Sequence, residues 1–344
     1  MLSIIMRPAI KLLTSSAFMM AAALIVALVT NFSGFYHDFL LPNGFNTNVT
    51  SNLTIFLLAV MMTISLSRIP SKNLSPAKNP MAIVRALVLG LVLASIFPLL
   101  GYLLLKDTEM FRDYAPGLVF IAATPFAASV APLSFILRGD MEHACRATIY
   151  TYVVSLVWIP FIVFILLGSQ VDMKDLIITV IECVGIPLLV SRFITKAKMN
   201  KTVMAVVLNC IIGFLVWMSV SSTKFPAGEN ALMIVAVFLL VGALRTYGMG
   251  NAVEVIEKRM GIGWSQRVTD ILIMSYKNKG IAIALCIAVM APIGGPVAVS
   301  TAMVAVAVSV IMETLWVVFM DSVLFTKKRM RRELESEGSE IGDL

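Results

Sequence analysis

Long apolar runs recur along the whole chain, at about 12–30, 52–67, 82–105, 116–137, 147–167, 174–190, 204–222, 231–249, 269–290 and 297–324. A hydrocarbon core about 30 Å thick takes roughly 20 mostly apolar residues per helical crossing, so the pattern predicts an all-α membrane protein of about ten transmembrane helices. The runs 52–67 and 174–190 are short for that purpose. With 59% hydrophobic and 14% charged residues, an ordinary soluble domain is excluded.

Lys and Arg placement supports the same count, because cytoplasmic loops near membrane helices are enriched in both. With both termini inside, 21 of the 27 fall in inner segments, among them Arg85, Arg245, Lys258, Arg259 and Arg267. Four lie in outer loops, at Lys106, Arg112, Lys174 and Lys224, and Lys277 and Lys279 make up the rest. The net charge of +7 thus reports orientation in a bilayer, with both termini cytoplasmic, and not nucleic-acid binding. The stretch after Lys327, basic and then acidic, is expected as a solvated cytoplasmic tail, 327–344. Cys145, Cys183, Cys210 and Cys286 stand singly in or near apolar runs, which predicts free buried thiols and no metal site.

Ten runs with a mid-chain basic loop suggest a duplication, and a split near Ser169 leaves five runs on each side, two inverted repeats, 1–170 and 171–326, as in many secondary transporters. The fourth run carries ATPFAASVAP, in which Pro125 and Pro132 bracket residues of almost no side chain. Each proline removes a helical hydrogen bond, so the helix is expected to open there; a kink is the other reading. The ninth run contains SYKNKGIA, with Lys277, Asn278, Lys279 and Gly280 at its midpoint. Two lysines at the bilayer centre cost about 5 to 7 kcal/mol if they face lipid. In a regular helix residues two apart point about 200° away from each other. An extended segment would let both ammonium groups face one polar cavity, against Thr124, Ser129 and Thr148, and hold an anion. The alternative is a structural ion pair with Glu182, Asp270 or Glu313, and Glu182 and Glu313 are also possible proton sites.

Three segments, KNPMAIVRALVLGLVLASIFPLLGYLL, GLVFIAATPFAASVAPLSFILRGD and ILIMSYKNKGIAIAL, stand in the order found in the bile acid:sodium symporter superfamily, which the chain resembles over nearly its whole length. LTIFLLAVMMTISLS matches that family's second span. The resemblance implies a core domain of spans 3–5 and 8–10, a panel domain of spans 1, 2, 6 and 7, crossed broken helices at spans 4 and 9, and carriage of organic anions at the plasma membrane. The family's sodium ligands do not carry over. Its Ser and Asn after the fourth-span proline fall on Val130 and Ala131, a hydroxyl on Ala144, a third-span glutamine on Leu93, and the ninth-span glutamine and glutamate on Lys277 and Ile273. Only Thr148 keeps an oxygen. Phe126 stands where arsenite carriers have cysteine, which speaks against that cargo.

The expected function is therefore a transporter of a small organic anion that needs no sodium and no cofactor, with a lysine supplying the positive charge. Protons could couple through Lys277 or Lys279. A sodium-coupled symporter and a non-transporting membrane scaffold or sensor are the alternatives. An intramembrane enzyme has little support: His37 and His143 are the chain's two histidines, and neither is expected beside a carboxylate pair.

Overall fold

The computed structural model describes residues 12–45, 47–67, 80–168, 171–194 and 200–336. No strand occurs among these residues. In chain order the helices are α1 (Ser16–Phe32), α2 (Thr47–Ser67), α3 (Pro80–Leu105), α4 (Pro116–Ala123), α5 (Val130–Ile136), α6 (Met141–Leu167), α7 (Met173–Ile194), α8 (Lys201–Ser221), α9 (Ala231–Arg259), α10 (Trp264–Ser275), α11 (Lys279–Phe319) and α12 (Lys327–Ser336). Six stretches, Pro80–Leu105, Met141–Leu167, Met173–Ile194, Thr202–Ser221, Ala231–Arg259 and Lys279–Leu324, are each long and apolar enough to cross a bilayer alone.

Helix boundaries follow local chemistry. Asp140, Asp172 and Asn200 cap α6, α7 and α8 by accepting backbone N–H bonds in the first turn. The helix through 174–190 runs for 22 residues, Met173–Ile194, and is not short, whereas the apolar part of α2, Asn52–Ser67, is short as expected. Inside α11, Gly294 and Gly295 leave the helix, Gly295 with φ 64°, and separate a limb over 279–293 from one over 296–319. A left-handed φ of this kind is where glycine is favoured.

α11 packs on helices from both ends of the chain, among them α1, α2 and α8. α1 lies along α8 and α2 along α7, while α4 packs on α3, α6 and α11, and α9 on α10 and α11. Gly117 in α4 permits a close approach, since a Cβ there would stand 2.1 Å from the Ala302 carbonyl oxygen of α11.

Three expectations change. α9 continues ten residues beyond position 249, to Arg259, because an amphipathic turn follows the apolar run. Arg245 is therefore not an inner-loop residue but sits buried in mid-helix, within a π-helical segment, Leu244–Gly248. The stretch after Lys327 is also not simply a solvated tail. α12 docks through buried Met330 and Glu333, with Glu333 paired to Lys258 and Arg267, and Arg329 paired to Glu254. The guanidinium groups of Arg267 and Arg329 both stack on Trp264, 5.9 Å from the ring. Residues 337–344 and the repeat boundary at 170 lie outside the described residues.

This docking carries a pH dependence. Burial opposes ionisation of Glu333, yet hydrogen bonds and charge from Lys258 and Arg267 outweigh it and hold the carboxyl below its usual value of 4.5. A depressed carboxylate stabilises the fold above its ordinary value and loses that contribution as pH falls through the depressed one. Hydrogen exchange corrected for intrinsic rates should therefore show α12 protected at pH 7 and released below about pH 4.5. Equal protection at pH 3 and pH 7 would contradict this account of the tail.

Candidate functional site

Residues 124–129, between α4 and α5, and residues 276–278, between α10 and α11, cross as a short antiparallel pair. Ala127 N–H donates to Tyr276 O at 2.7 Å, and Asn278 N–H to Pro125 O at 2.9 Å. The residue before a proline is biased to extended backbone, and Thr124 has φ −75° and ψ 146°, which ends α4. Pro132 is the third residue of α5, in the first turn, where an N–H has no helical partner to lose. Gly280 already belongs to α11 and is not part of the non-helical stretch; a Cβ there would meet Leu58 Cδ1 at 2.5 Å.

Lys277 is 1% exposed, and its Nζ donates to Thr124 O at 2.6 Å, Ser95 Oγ at 3.0 Å, Gly90 O at 3.1 Å and Ala122 O at 3.3 Å. An ammonium has three hydrogens to share among these four oxygens. Their availability has a structural cause. Ala122 and Thr124 lie at the C-terminal end of α4, where carbonyls have no helical partner and the helix dipole favours a cation. Gly90 lies in a π-helical turn of α3, Val88–Val92, and the turn after it, Leu93–Ser95, is 3₁₀. Ser95 Oγ also reaches Leu91 O at 2.6 Å and Ala122 O at 2.7 Å, which ties α3 to α4.

Lys279 points elsewhere. Because it is the first residue of α11, it and Lys277 do not lie two apart on an extended strand, and the expected shared direction fails. Lys279 Nζ bonds Glu313 Oε1 at 2.7 Å and Ser309 Oγ at 2.8 Å, with its side chain 13% exposed. Glu313 Oε1 also accepts from Arg245 Nη2 at 2.5 Å and from the Lys277 backbone N–H at 3.0 Å. Arg245 reaches Ser275 O at 3.2 Å besides. Lys279 and Arg245 thus share one carboxylate, two cations to one anion, and the Lys277 backbone N–H bonds the same oxygen.

A cavity of about 140 Å³ opens beside this centre. Ser129, Lys279, Gly280 and Glu313 line one side, and Met20, Met61, Leu208 and Ile212 of α1, α2 and α8 form an apolar side. Lys277 and Asn278 also border it, but their polar groups turn inward. Asn278 Nδ2 donates to Tyr152 Oη at 2.8 Å, its Oδ1 accepts from Ile281 N–H at 3.1 Å, and Tyr152 Oη donates to Phe126 O at 2.8 Å. Thr124 and Thr148 do not line the cavity. Their hydroxyls bond back to Ile121 O and Ala144 O in their own helices, a common way for buried hydroxyls to be satisfied.

Of the expected counter-ions, Glu313 fulfils the role. Glu182 sits half-buried in a π-helical turn of α7, and no ion pair joins it to Lys277 or Lys279 among the described residues. Asp270 pairs instead with Arg85 and His143. His143, expected away from any carboxylate pair, has its Nε2 3.3 Å from one carboxylate oxygen, Asp270 Oδ1. The four cysteines are free, and Cys210 is exposed rather than buried. Arg245 is the component that sequence reading missed; the signal was the apolar-then-amphipathic length of its helix.

The model of the family described as Sodium Bile acid symporter family matches residues 52–244. No curated protein matches the chain.

Proposed function

The chain belongs to the sodium bile acid symporter family, and from its membership and its apolar helices, as an integral multi-pass membrane protein of transporter type and not an enzyme, we propose that it carries a small organic anion without sodium. One observation carries the reading: the Lys277 ammonium fills a nest of four oxygens, the coordination a bound cation would take. Hard cations are held through oxygen ligands, and an ammonium that engages these four leaves them closed to a mobile cation. The glutamine expected from the resemblance at this position is the residue that Lys277 replaces.

In this reading ten crossings form two inverted repeats, 1–170 and 171–326, followed by a cytoplasmic tail, in a plasma-membrane protein with both termini inside. α1, α2, α7 and α8 act as the panel, and the remaining membrane helices as the core. The anion sits between them, its charged group at Lys279 and the N-terminal end of α11, its apolar part against Met20, Met61 and Leu208. Helix N-termini favour anions, and the positive excess around Glu313 favours them further. Ser65, Ser129 and Tyr276 bring hydroxyls to the cavity wall for the cargo. Alternating access moves the core against the panel with Lys277 fixed in its nest.

The test is uptake or counterflow of labelled carboxylates in proteoliposomes, in sodium and in potassium media. Equal uptake in both is expected, with Lys279→Ala weakening apparent affinity about tenfold, the equivalent of one lost charge-assisted contact. Uptake that requires sodium would establish a sodium symporter instead. No uptake, together with no anion-dependent thermal shift, would establish a scaffold.

A further inference from the structure

A second cavity, of about 430 Å³, lies at the opposite end of the helices from the one beside Lys279. The cavity beside Lys279 is bordered by Thr14 just before α1, Ser65 near the end of α2 and Met204 near the start of α8. The second is bordered by Tyr36 after α1, Thr50 near the start of α2, and Ser222 and Lys224 after α8. α11 borders both, the first at Gly280 and Glu313 and the second at Ile287 and Pro296. Along the three helices, positions between the two are closed by one buried apolar cluster: Leu24 and Ala27 of α1, Val216 and Val220 of α8, and Ala307 and Val310 of α11. A charged group does not cross such packing while it stays closed.

The residues around the second cavity set its chemistry. Lys224 and His37 border it, and no Asp or Glu does among the described residues. Lys106 and Arg112, expected like Lys224 in outer loops, pair with the neighbouring Asp107 and Asp113, whereas Lys224 has no ion pair among the described residues. Asp38, next to His37, turns back on its own turn: a Cβ at Gly34 would stand 2.4 Å from Asp38 Oδ2. Tyr114 and Ser222 bring hydroxyls to the wall, and Ile287, Val299 and Met303 make part of it apolar.

Small-molecule sites of about 300–1,000 Å³ combine an apolar wall with a few placed polar groups, and here the placed charge is positive. We propose that the second cavity is a separate binding site for an amphiphilic carboxylate, with its charged end at Lys224 and its apolar part against Ile287, Val299 and Met303. Because the apolar cluster stands between them, the two cavities fill independently. That the ligand here is cargo held at the far side of a closed seam rests on the transport reading above; the existence of the site does not.

The experiment is equilibrium dialysis of radiolabelled octanoate against the purified full-length protein in detergent, for wild type, Lys224→Gln, Lys224→Arg and Lys279→Ala. Wild type should show two saturable sites. Lys224→Gln should weaken one of them about tenfold or more, as expected for one lost charge-assisted contact, and Lys224→Arg should keep it. Lys224 is exposed, so its replacement leaves the packing intact. A Lys224→Gln isotherm equal to that of wild type overturns the proposal, and so does a wild type with no saturable octanoate site. Displacement by octanol as strong as by unlabelled octanoate overturns the role of charge in it. If Lys279→Ala binds as wild type does while Lys224→Gln loses a site, the anion reading of the first cavity fails and the second site stands.

Discussion

Lys277→Met lowers the stability of the purified protein by about 3 kcal/mol, because it keeps the buried stem and removes only the ammonium. Thr124 O and Gly90 O then lose a donor in a buried site, while Ala122 O keeps the Ser95 hydroxyl, and each unsatisfied group costs about 1–3 kcal/mol. Part of that loss is offset because burying the ammonium was itself costly. Lys277→Gln should behave differently. It restores the residue that the family resemblance places at this position and leaves the oxygens of Ser95 and the α4 carbonyls free for an ion. Its stability should therefore rise with added sodium but not with choline, by up to about 2.7 kcal/mol when sodium exceeds its dissociation constant a hundredfold, and its melting temperature with it. Thermal denaturation of wild type, Lys277→Met and Lys277→Gln in the two salts decides the matter. A wild-type stability that itself climbs specifically with sodium would count against the tethered-cation account.

Glu313→Gln should be of similar or greater severity. One oxygen of Glu313 accepts from Arg245, Lys279 and the Lys277 backbone, so neutralising it leaves two side-chain cations facing each other with no counter-charge. Breaking a buried pair from one side costs about 3–5 kcal/mol, since the partner stays behind uncompensated. The cause is separable from a packing defect. If repulsion is responsible, adding Arg245→Met to Glu313→Gln should recover about 1–2 kcal/mol, a coupling typical of contacting residues. Chemical or thermal denaturation of the double-mutant cycle measures it. Additive losses would mean that Arg245 and Glu313 do not act as a pair.

Much of the architecture was legible because a bilayer leaves few solutions. Apolar length identified the helices, and Pro125 marked the end of α4 because the residue before it turns extended. The ninth interruption was legible from cost alone, since two lysines cannot both face lipid. Their directions were not legible. Only 276–278 leave the helix, so Lys279 follows helical and not strand geometry, and its ammonium departs from that of Lys277. The oxygen nest was hidden because three of its four acceptors are backbone carbonyls, freed by a helix end and a π-helical turn that composition does not encode. Arg245 was read as loop charge because hydropathy falls where α9 turns amphipathic, well before the helix stops. Arg85, His143 and Asp270, far apart in sequence, come together only through the packing of α3, α6 and α10. Thr148 was misplaced for a related reason: a hydroxyl in a helix is readily satisfied by its own preceding turn.

Equilibrium binding of radioactive sodium to the purified protein examines the Lys277 nest with no assumption about cargo. Wild type should show no saturable binding, and Lys277→Gln should show one saturable site. Saturable sodium binding by wild type, unchanged in Lys277→Gln, would contradict the assignment of the ammonium to the place of a dissolved ion.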